Sequence, residues 1–537
     1  MRPQRGYVPR DSIYPLRGVN FLDPSTLSDP RFSPDAENVL LVKGRARSRY
    51  GYEKLGEHDP EDDGPGGVFP CNSRVMAVFE YETLAGARHL LAITQKRQYR
   101  YDAAANEWVD ITPVDGSSNP EEWTGGDDDQ VHFVVAADDT SRRAFITNGK
   151  DTPREWDGTG TFEDVGWDIE DFVTCKTIEV FFNRLVIGGV ETTSVQPTTV
   201  AWSVVGDFDD WTGPGAGAAS LSDVRTEITR LISFGDRLAI YGTDSISVAT
   251  LIGGEVIFSF ETLVQGTSLL SGLAIVNLGP FHLFAAKEDF YLFDGTRMIL
   301  PVGERVALRY REEVFLDLAK QATAFHDAAK RQVWWLIPNG EDGSKVVYLL
   351  EYDLRDTQDS TWTRFKLADP PTTMGTFRRF EALSWNSSLL EDMTWEDVAM
   401  TWDQGSARED FPVRIFGSGG GVFLYDDIRL RDNGETITSW WDSIDFVVPE
   451  VYQSERARWL EVELELRGTT VEVQYSIDQG STYTSLGVLE LTSDWQRYQV
   501  LLDVNSRLVR FRLIVETSND FFELRWLRAW LRPAGAR

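Results

Sequence analysis

The chain is poor in the residues that build small, hard-wired sites. Its 537 residues hold only two cysteines, Cys71 and Cys175, and five histidines. Two thiols so far apart exclude a disulfide-dense secreted scaffold and read as reduced thiols of a chain made in a cytoplasm. The histidines, His58, His89, His132, His282 and His326, never fall at ligand spacing and have no cysteine beside them, so no metal site is expected. No run approaches the roughly eighteen apolar residues of a membrane span. Met1-Arg2-Pro3-Gln4-Arg5-Gly6 is followed by no apolar stretch, so a secretory signal is not expected either. Positive charge is scarce as well: 53 Lys and Arg face 85 Asp and Glu, for a net charge of −32.

That deficit is unevenly spread. Residues 1–54 carry +4, residues 453–537 carry −1, and the stretch between them carries −35. A field of that sign repels phosphate backbones and argues against tight nucleic-acid binding by the middle of the chain. It leaves room for a surface along which nucleic acid passes without sticking.

Aromatic residues are plentiful, at 12% with 18 Trp, and they suit half-buried pleated sheets. They recur in a loose repeat of about forty residues. Leu90-Leu91-Ala92-Ile93-Thr94 runs into Tyr99-Arg100-Tyr101-Asp102 and then Glu107-Trp108-Val109-Asp110. Ala144-Phe145-Ile146-Thr147 leads to Glu155-Trp156-Asp157-Gly158, and Leu283-Phe284-Ala285-Ala286 to Tyr291-Leu292-Phe293-Asp294-Gly295. Val346-Val347-Tyr348 leads to Glu351-Tyr352-Asp353 and then Thr361-Trp362. Each unit is a small antiparallel sheet unable to bury both faces alone, so it must stack on its neighbours. The expected fold class is therefore all-β, a β-propeller of about six to eight blades.

Blades are expected near 69–112, 130–165, 175–212, 224–263, 272–303, 321–367 and 376–446. Around this propeller, taken as 55–452, lie an extended arm and hairpin at 1–54 and a jelly-roll-like β-sandwich at 453–537. The sandwich shows in strict alternation over Arg458–Leu466 and Thr470–Tyr475. Within the arm, Val39–Val42, the turn Lys43-Gly44 and the return Ala46–Tyr52 read as a hairpin whose first strand closes the ring on the final blade. Two segments break the pattern. Glu304–Gln321 spaces Val306, Tyr310, Val314 and Leu318 four apart, as one face of a helix, and 381–410 is a Trp-rich insertion.

Motifs that carry chemistry are weak. Asp127-Asp128-Asp129 and Asp207, Asp209 and Asp210 lack the terminal bidentate Glu of an EF-hand and read as solvated loops. There is no Gly-x-Ser-x-Gly elbow, and Gly417–Gly421 lacks the Lys of a phosphate loop. Trp108, Trp211 and Trp362 recur at one place in the unit and read as packing residues, and Trp440, Trp441, Trp495, Trp526 and Trp530 read as core. No catalytic residue, cofactor or metal is expected, and the chain is read as a non-enzyme.

Several short segments also resemble a known family. Asp35-Ala36-Glu37-Asn38-Val39, Lys43-Gly44-Arg45-Ala46-Arg47 and Arg49-Tyr50-Gly51-Tyr52 resemble the opening of β-propeller tail proteins of tailed bacteriophages, the tail nozzle or tail hub class. Arg237–Gly242, Phe290–Gly295, Arg331–Pro338 and the closing Phe522–Leu527 resemble later signatures of the same class. The resemblance implies a structural virion protein, assembled in the host cytoplasm, in a homo-oligomeric ring of about six copies at the tail end of a portal and adaptor stack. Genome DNA would pass through the lumen without specific binding during ejection. The basic arm would dock to an acidic neighbour through Arg5, Arg10 and Arg17. Three alternatives stand beside it: a carbohydrate-binding or receptor-contact tail protein, a capsid-decorating virion protein, and a propeller glycosidase.

Overall fold

The computed structural model describes residues 8–10, 16–42, 44–56, 73–138, 141–224, 227–254, 256–267, 269–353, 360–379, 412–427, 429–448, 456–517 and 519–533. The Trp-rich insertion at 381–410, the acidic stretch from 57 to 67, Cys71 and Arg5 lie outside them.

Among the described residues, seven sheets built on antiparallel strands follow one another along the middle of the chain. Blades one to five run over Val75–Asp110, His132–Asp164, Thr174–Ser220, Ile228–Gln265 and Ile275–Pro301, each four strands in sequence order. Blade six takes its strands from Thr323–Lys366, and blade seven takes three from Thr373–Tyr425. The first strand of each blade packs beside the first strand of the next, and blade seven returns to blade one, so the inner strands form a closed ring. That closed ring makes the fold a β-propeller. The return is tight. A Cβ on Gly375, in the inner strand of blade seven, would stand 2.4 Å from the Val78 carbonyl oxygen of blade one, so only glycine fits there.

Within a blade, alternate residues fill the two sandwich-like spaces against the neighbouring blades. Blade four shows the pattern: Leu238 and Ile240 pack with Phe181, Val186 and Trp202 of blade three, while Ala239 and Tyr241 pack with Phe284 and Phe293 of blade five. Trp108, Trp211 and Trp362 are buried, with their indole N–H groups donating to the carbonyls of Leu55 (2.8 Å), Phe208 (2.9 Å) and Val302 (3.1 Å). They pack and tie blades, so their recurrence reflects construction.

The ring is closed by an N-terminal strand, but not by Val39–Val42. Tyr52–Lys54 pairs with Gly421–Tyr425 as the fourth strand of blade seven. Val39–Val42 pairs with Arg45–Ser48, which pairs in turn with Phe522–Pro533 of the sandwich. The expected closing strand is thus corrected by one hairpin's length. The reason lies in the two partners: Leu41 and Ala46 are buried in a core shared with Leu464, Leu524 and Leu527, whereas Tyr52 is packed edge-on against Phe416 at 4.8 Å and Phe423 at 5.4 Å.

The sandwich therefore draws on both ends of the chain. One sheet runs in the order Gln496–Ser506, Ala457–Gly468, Phe522–Pro533, Arg45–Ser48, Val39–Val42, with Val8–Arg10 also on Phe522–Pro533. The other runs Ala36–Glu37, Ser439–Asp442, Leu508–Val515, Thr470–Ser476, Thr484–Glu490. Trp441 and Trp459 fill the space between the sheets. The sandwich thus reaches back to residue 439, where sequence alone drew its boundary at 453. Gly18–Val19 extends blade six in parallel beside Trp362. Gly18 has φ +110°, and a Cβ there would stand 2.6 Å from the Trp362 carbonyl oxygen.

The segment expected as one helix divides. An α-helix spans Ala307–Glu313, and a 3-10 turn follows at Leu316–Gln321. Val306 and Tyr310 are fully buried, as their spacing requires. The break comes at Val314 and Phe315, both extended, where the Phe315 N–H donates to the Pro338 carbonyl of blade six (2.8 Å) in place of a helical partner.

Candidate functional site

A cavity of about 610 Å³ opens on the propeller axis between the inner strands of blades one, two, four, five, six and seven. Its walls are partly apolar, with Phe79 stacked on Phe133 at a centroid distance of 4.0 Å. Alternation explains the mixture: an inner strand turns one side chain to a blade core and the next to the axis.

Two charge networks reach it, one through Glu80 and Arg378 and the other through Arg230. Across the junction that closes the ring, Arg378 of blade seven donates from Nε to Glu80 Oε1 (2.8 Å) and from its backbone N–H to Glu80 Oε2 (2.6 Å). Its Nη2 pairs with both Glu80 and Glu82 of blade one. These carboxylates hold the guanidinium's pKa above its ordinary value, while hydrogen bonding from Arg378 and its charge hold Glu82 below. On the far side, Arg230 Nη1 lies 2.8 Å from His132 Nδ1, which is 3.2 Å from Thr177 Oγ1. Burial, reinforced by the Arg230 charge, pushes His132 well below its ordinary pKa, so the ring is neutral and accepts from the guanidinium. Burial raises Glu179 to about 7, against the pull of Arg230 and of hydrogen bonds from Val180 and Ser233.

These groups are committed to one another. Glu80, Glu82 and Arg378 lock blade one to blade seven, and His132, Thr177 and Arg230 lock blades two, three and four. Among the described residues no three His, Cys, Asp or Glu converge as a metal-binding group. The acidic triplets serve turns: Asp129 accepts from the Gly126 N–H, Asp207 from those of Asp209 and Asp210, and Asp210 from those of Thr212 and Gly213. The axial cavity can enclose a small amphipathic molecule; its paired charges give adhesion between blades.

Of the arginines singled out for docking, Arg10 and Arg17 lie on different parts of the described chain. Arg10 sits in the strand Val8–Arg10, in register with Ala529 at the sandwich edge. Arg17 lies beside blade six, its N–H donating to the Arg31 carbonyl (2.8 Å), close to Asp29 and Arg305. Arg5 is outside the described residues.

Two sets of residues went unread in the sequence. The axial Glu80, Glu82 and Arg378 are almost three hundred positions apart and carry no spacing signal. The second set corrects the expectation that the sandwich tryptophans are core. Trp441 is, but Trp440, Trp495, Trp526 and Trp530 are half-buried and covered by guanidinium groups. Arg525, Arg467 and Arg45 stand over Trp495 at 4.2, 5.1 and 5.2 Å, Arg512 over Trp440 at 4.1 Å, and Arg497 over Trp526 at 5.3 Å. For Trp526 and Trp530 the available signal was their spacing of two about Arg528, which sets the three on one face of a strand.

No family model matches this sequence, and no curated protein matches it. Solved structures align with it at low identity. PorZ, a surface component of the type-IX secretion system of Porphyromonas gingivalis, aligns over 81% of this chain and 46% of its own at 10% identity and TM-score 0.37. The extracellular domain of a protein described as a hybrid two-component system from B. thetaiotaomicron aligns over 76% of this chain and 43% of its own, at 9% identity and TM-score 0.38. A glycoside hydrolase family 43 arabinoxylan arabinofuranohydrolase from Bacillus subtilis covers 95% of this chain and 98% of its own at 10% identity, with TM-score 0.24. The chain thus spans under half the length of the first two. The seven sheets and their closed inner ring identify the chain as an all-β propeller, here carrying a β-sandwich.

Proposed function

We propose that this protein is a non-enzymatic building block of a bacteriophage tail, of the nozzle or hub class, working as one of several copies in a ring around the DNA exit channel. The observation that carries this reading is how the N-terminal segment stitches the molecule together. Residues 16–54 add strands to blade six, to both sheets of the sandwich and to blade seven. A block tied in this way bears load without its lobes parting. Arg49 is the clasp: buried, it donates from Nη1 to Asp432 Oδ1 (2.7 Å), from Nε to Asn38 Oδ1 (2.8 Å) and from Nη2 to the Lys366 carbonyl (3.1 Å). Gly51 beside it admits no side chain, because a Cβ would stand 1.9 Å from the Arg431 carbonyl oxygen. The family-like segment Arg49-Tyr50-Gly51-Tyr52 is thus a structural joint.

Charge supports the same reading. A ring whose subunits carry −35 over residues 55–452 presents DNA with a repulsive wall. The test is electron cryo-microscopy of intact particles with sedimentation of the purified chain. A ring at one tail level is expected; a monomer at all concentrations, with no density in the particle, refutes the proposal.

The receptor-contact reading is favoured by one observation. On the sandwich sheet, Leu501 (78% exposed) and half-buried Trp530 both stand in register with Glu461 on the strand between them, and Trp526 follows along the same strand as Trp530, aromatic surface of the kind that stacks on sugars. A glycan array probed with the whole chain checks it, and binding that disappears in Trp526→Ala is the expected positive result.

A further inference from the structure

A second cavity, about 330 Å³, lies in the seam where propeller meets sandwich, lined by Arg45, Arg47, Lys330, Arg414, Arg467, Gln332, Tyr50 and Leu40 with Asp427 and Glu523. In a chain of net charge −32, five cations here face two carboxylates. We propose that this seam is a binding site for a small multivalent oxyanion of the phosphate or polycarboxylate class, gripped by both lobes at once.

The argument begins with the two carboxylates, each of which is outnumbered. Glu523, almost fully buried, is met by Arg467 at 2.9 Å, Arg47 at 3.1 Å and Arg45 at 3.8 Å. Asp427 accepts from Lys330 Nζ (2.8 Å) and Arg414 Nη2 (3.0 Å). Burial opposes ionisation of Asp427, but Lys330 and Arg414 hold its pKa below the ordinary value, so it is charged. Burial, reinforced by Arg414, lowers Lys330 from its ordinary value against the pull of Asp427 and Asp327. One donor, Arg47 Nε, is buried without a hydrogen-bond partner.

The guanidiniums are also preorganised. Arg45 and Arg467 lie on the Trp495 ring at 5.2 and 5.1 Å, Arg47 on Tyr50 at 4.0 Å, and Arg414 on Tyr425 at 4.7 Å. Stacking occupies the faces of these groups and leaves N–H edges for an anion, the fork geometry that suits phosphate and carboxylate. The cavity's size lies in the range of small-ligand sites, which starts at about 300 Å³. Arg45, Arg47, Arg467 and Glu523 come from the sandwich, and Lys330, Gln332, Arg414 and Asp427 from blades six and seven. An anion bound there adds contacts between the lobes without changing the fold of either.

The experiment uses the whole chain and pyrophosphate or citrate as probes, each against sodium chloride at matched ionic strength. A saturable rise in melting temperature is expected with either probe. The double variant Arg45→Gln/Arg467→Gln keeps the Glu523–Arg47 pair and should weaken the apparent affinity by about tenfold or more, as losing charged hydrogen bonds implies. Arg458→Gln, in an exposed pair with Asp503, should leave it unchanged. If the double variant does not fold, hydrogen exchange on the wild-type chain decides, with pyrophosphate expected to protect 44–50 and 329–333. A melting shift that follows ionic strength alone, persistence of the shift in the folded double variant, or absence of protection in those segments overturns the proposal. A shift with citrate and none with pyrophosphate assigns the site to carboxylates, such as an acidic segment of a partner, and one with both assigns it to free oxyanions.

Discussion

Blade four and the first sheet of the sandwich are both antiparallel, yet their strands are gathered in opposite ways. Blade four takes every strand from the continuous stretch Ile228–Gln265, each pair joined by a short turn such as Gly235-Asp236. The sandwich sheet sets Arg45–Ser48 beside Phe522–Pro533, from the two ends of the chain. Local pairing closes short loops at little entropic cost, while distant pairing waits until the rest of the chain has collapsed. Most of the propeller is therefore a set of repeated local units, while the sandwich and the closing strand Tyr52–Lys54 depend on pairing across the whole chain.

The largest test of that contrast is Trp459→Ala in the sandwich core. Trp459 is fully buried, and its indole donates to the Ser506 carbonyl (3.3 Å). A loss of about 3–5 kcal/mol is expected in urea unfolding. Because the lobes share the N-terminal segment, one transition should persist; two separate transitions would break the single-block picture. Arg49→Met comes next, leaving buried Asp432 without its guanidinium at a cost of about 3–5 kcal/mol. Its loss should raise amide exchange in Tyr52–Lys54 and in Arg45–Ser48 together.

Trp108→Phe is the local counterpart. It removes the bond to the Leu55 carbonyl, costs about 1–3 kcal/mol, and should raise exchange in blade one more than in the sandwich. Glu179→Gln sharpens the comparison through pH. The Glu179 carboxyl ionises at about 7 when folded, against an ordinary 4.5, so the folded state holds the extra proton between those values. Wild-type stability relative to the variant should fall as pH rises from 4.5 to 7 and level off above, read by urea midpoints. The smallest effect belongs to Arg458→Gln, whose partner Asp503 is exposed; no measurable shift in midpoint is expected at physiological salt.

The parts legible in the sequence were those decided by neighbours. The aromatic-Asp turns placed the blades because alternation has a period of two and Gly or Asn supplies positive φ at the corners, as Asn106 and Gly295 do here. The buried face of the helix was legible through Val306 and Tyr310. Its end was not, because the bond from Phe315 to Pro338 is made by a strand that only the fold brings near. The closing strand was misassigned for the same reason: Val39–Val42 and Tyr52–Lys54 are both short strands of one N-terminal segment, and it is the packing of Tyr52 on Phe416 and Phe423 that sends the second to blade seven. The axial Glu80–Arg378 pair and the cations on Trp495 had no spacing to betray them.

By itself, then, the sequence determined that this chain builds stacked antiparallel sheets with an acidic middle. Those properties follow from residue type and from contacts within a few positions. Tertiary structure alone decided that the ring closes on Tyr52–Lys54, that both chain ends share one sandwich, and that five cations meet two carboxylates in the seam. Such choices depend on which surfaces meet after collapse, when shape and desolvation select among strands that alternation leaves equivalent.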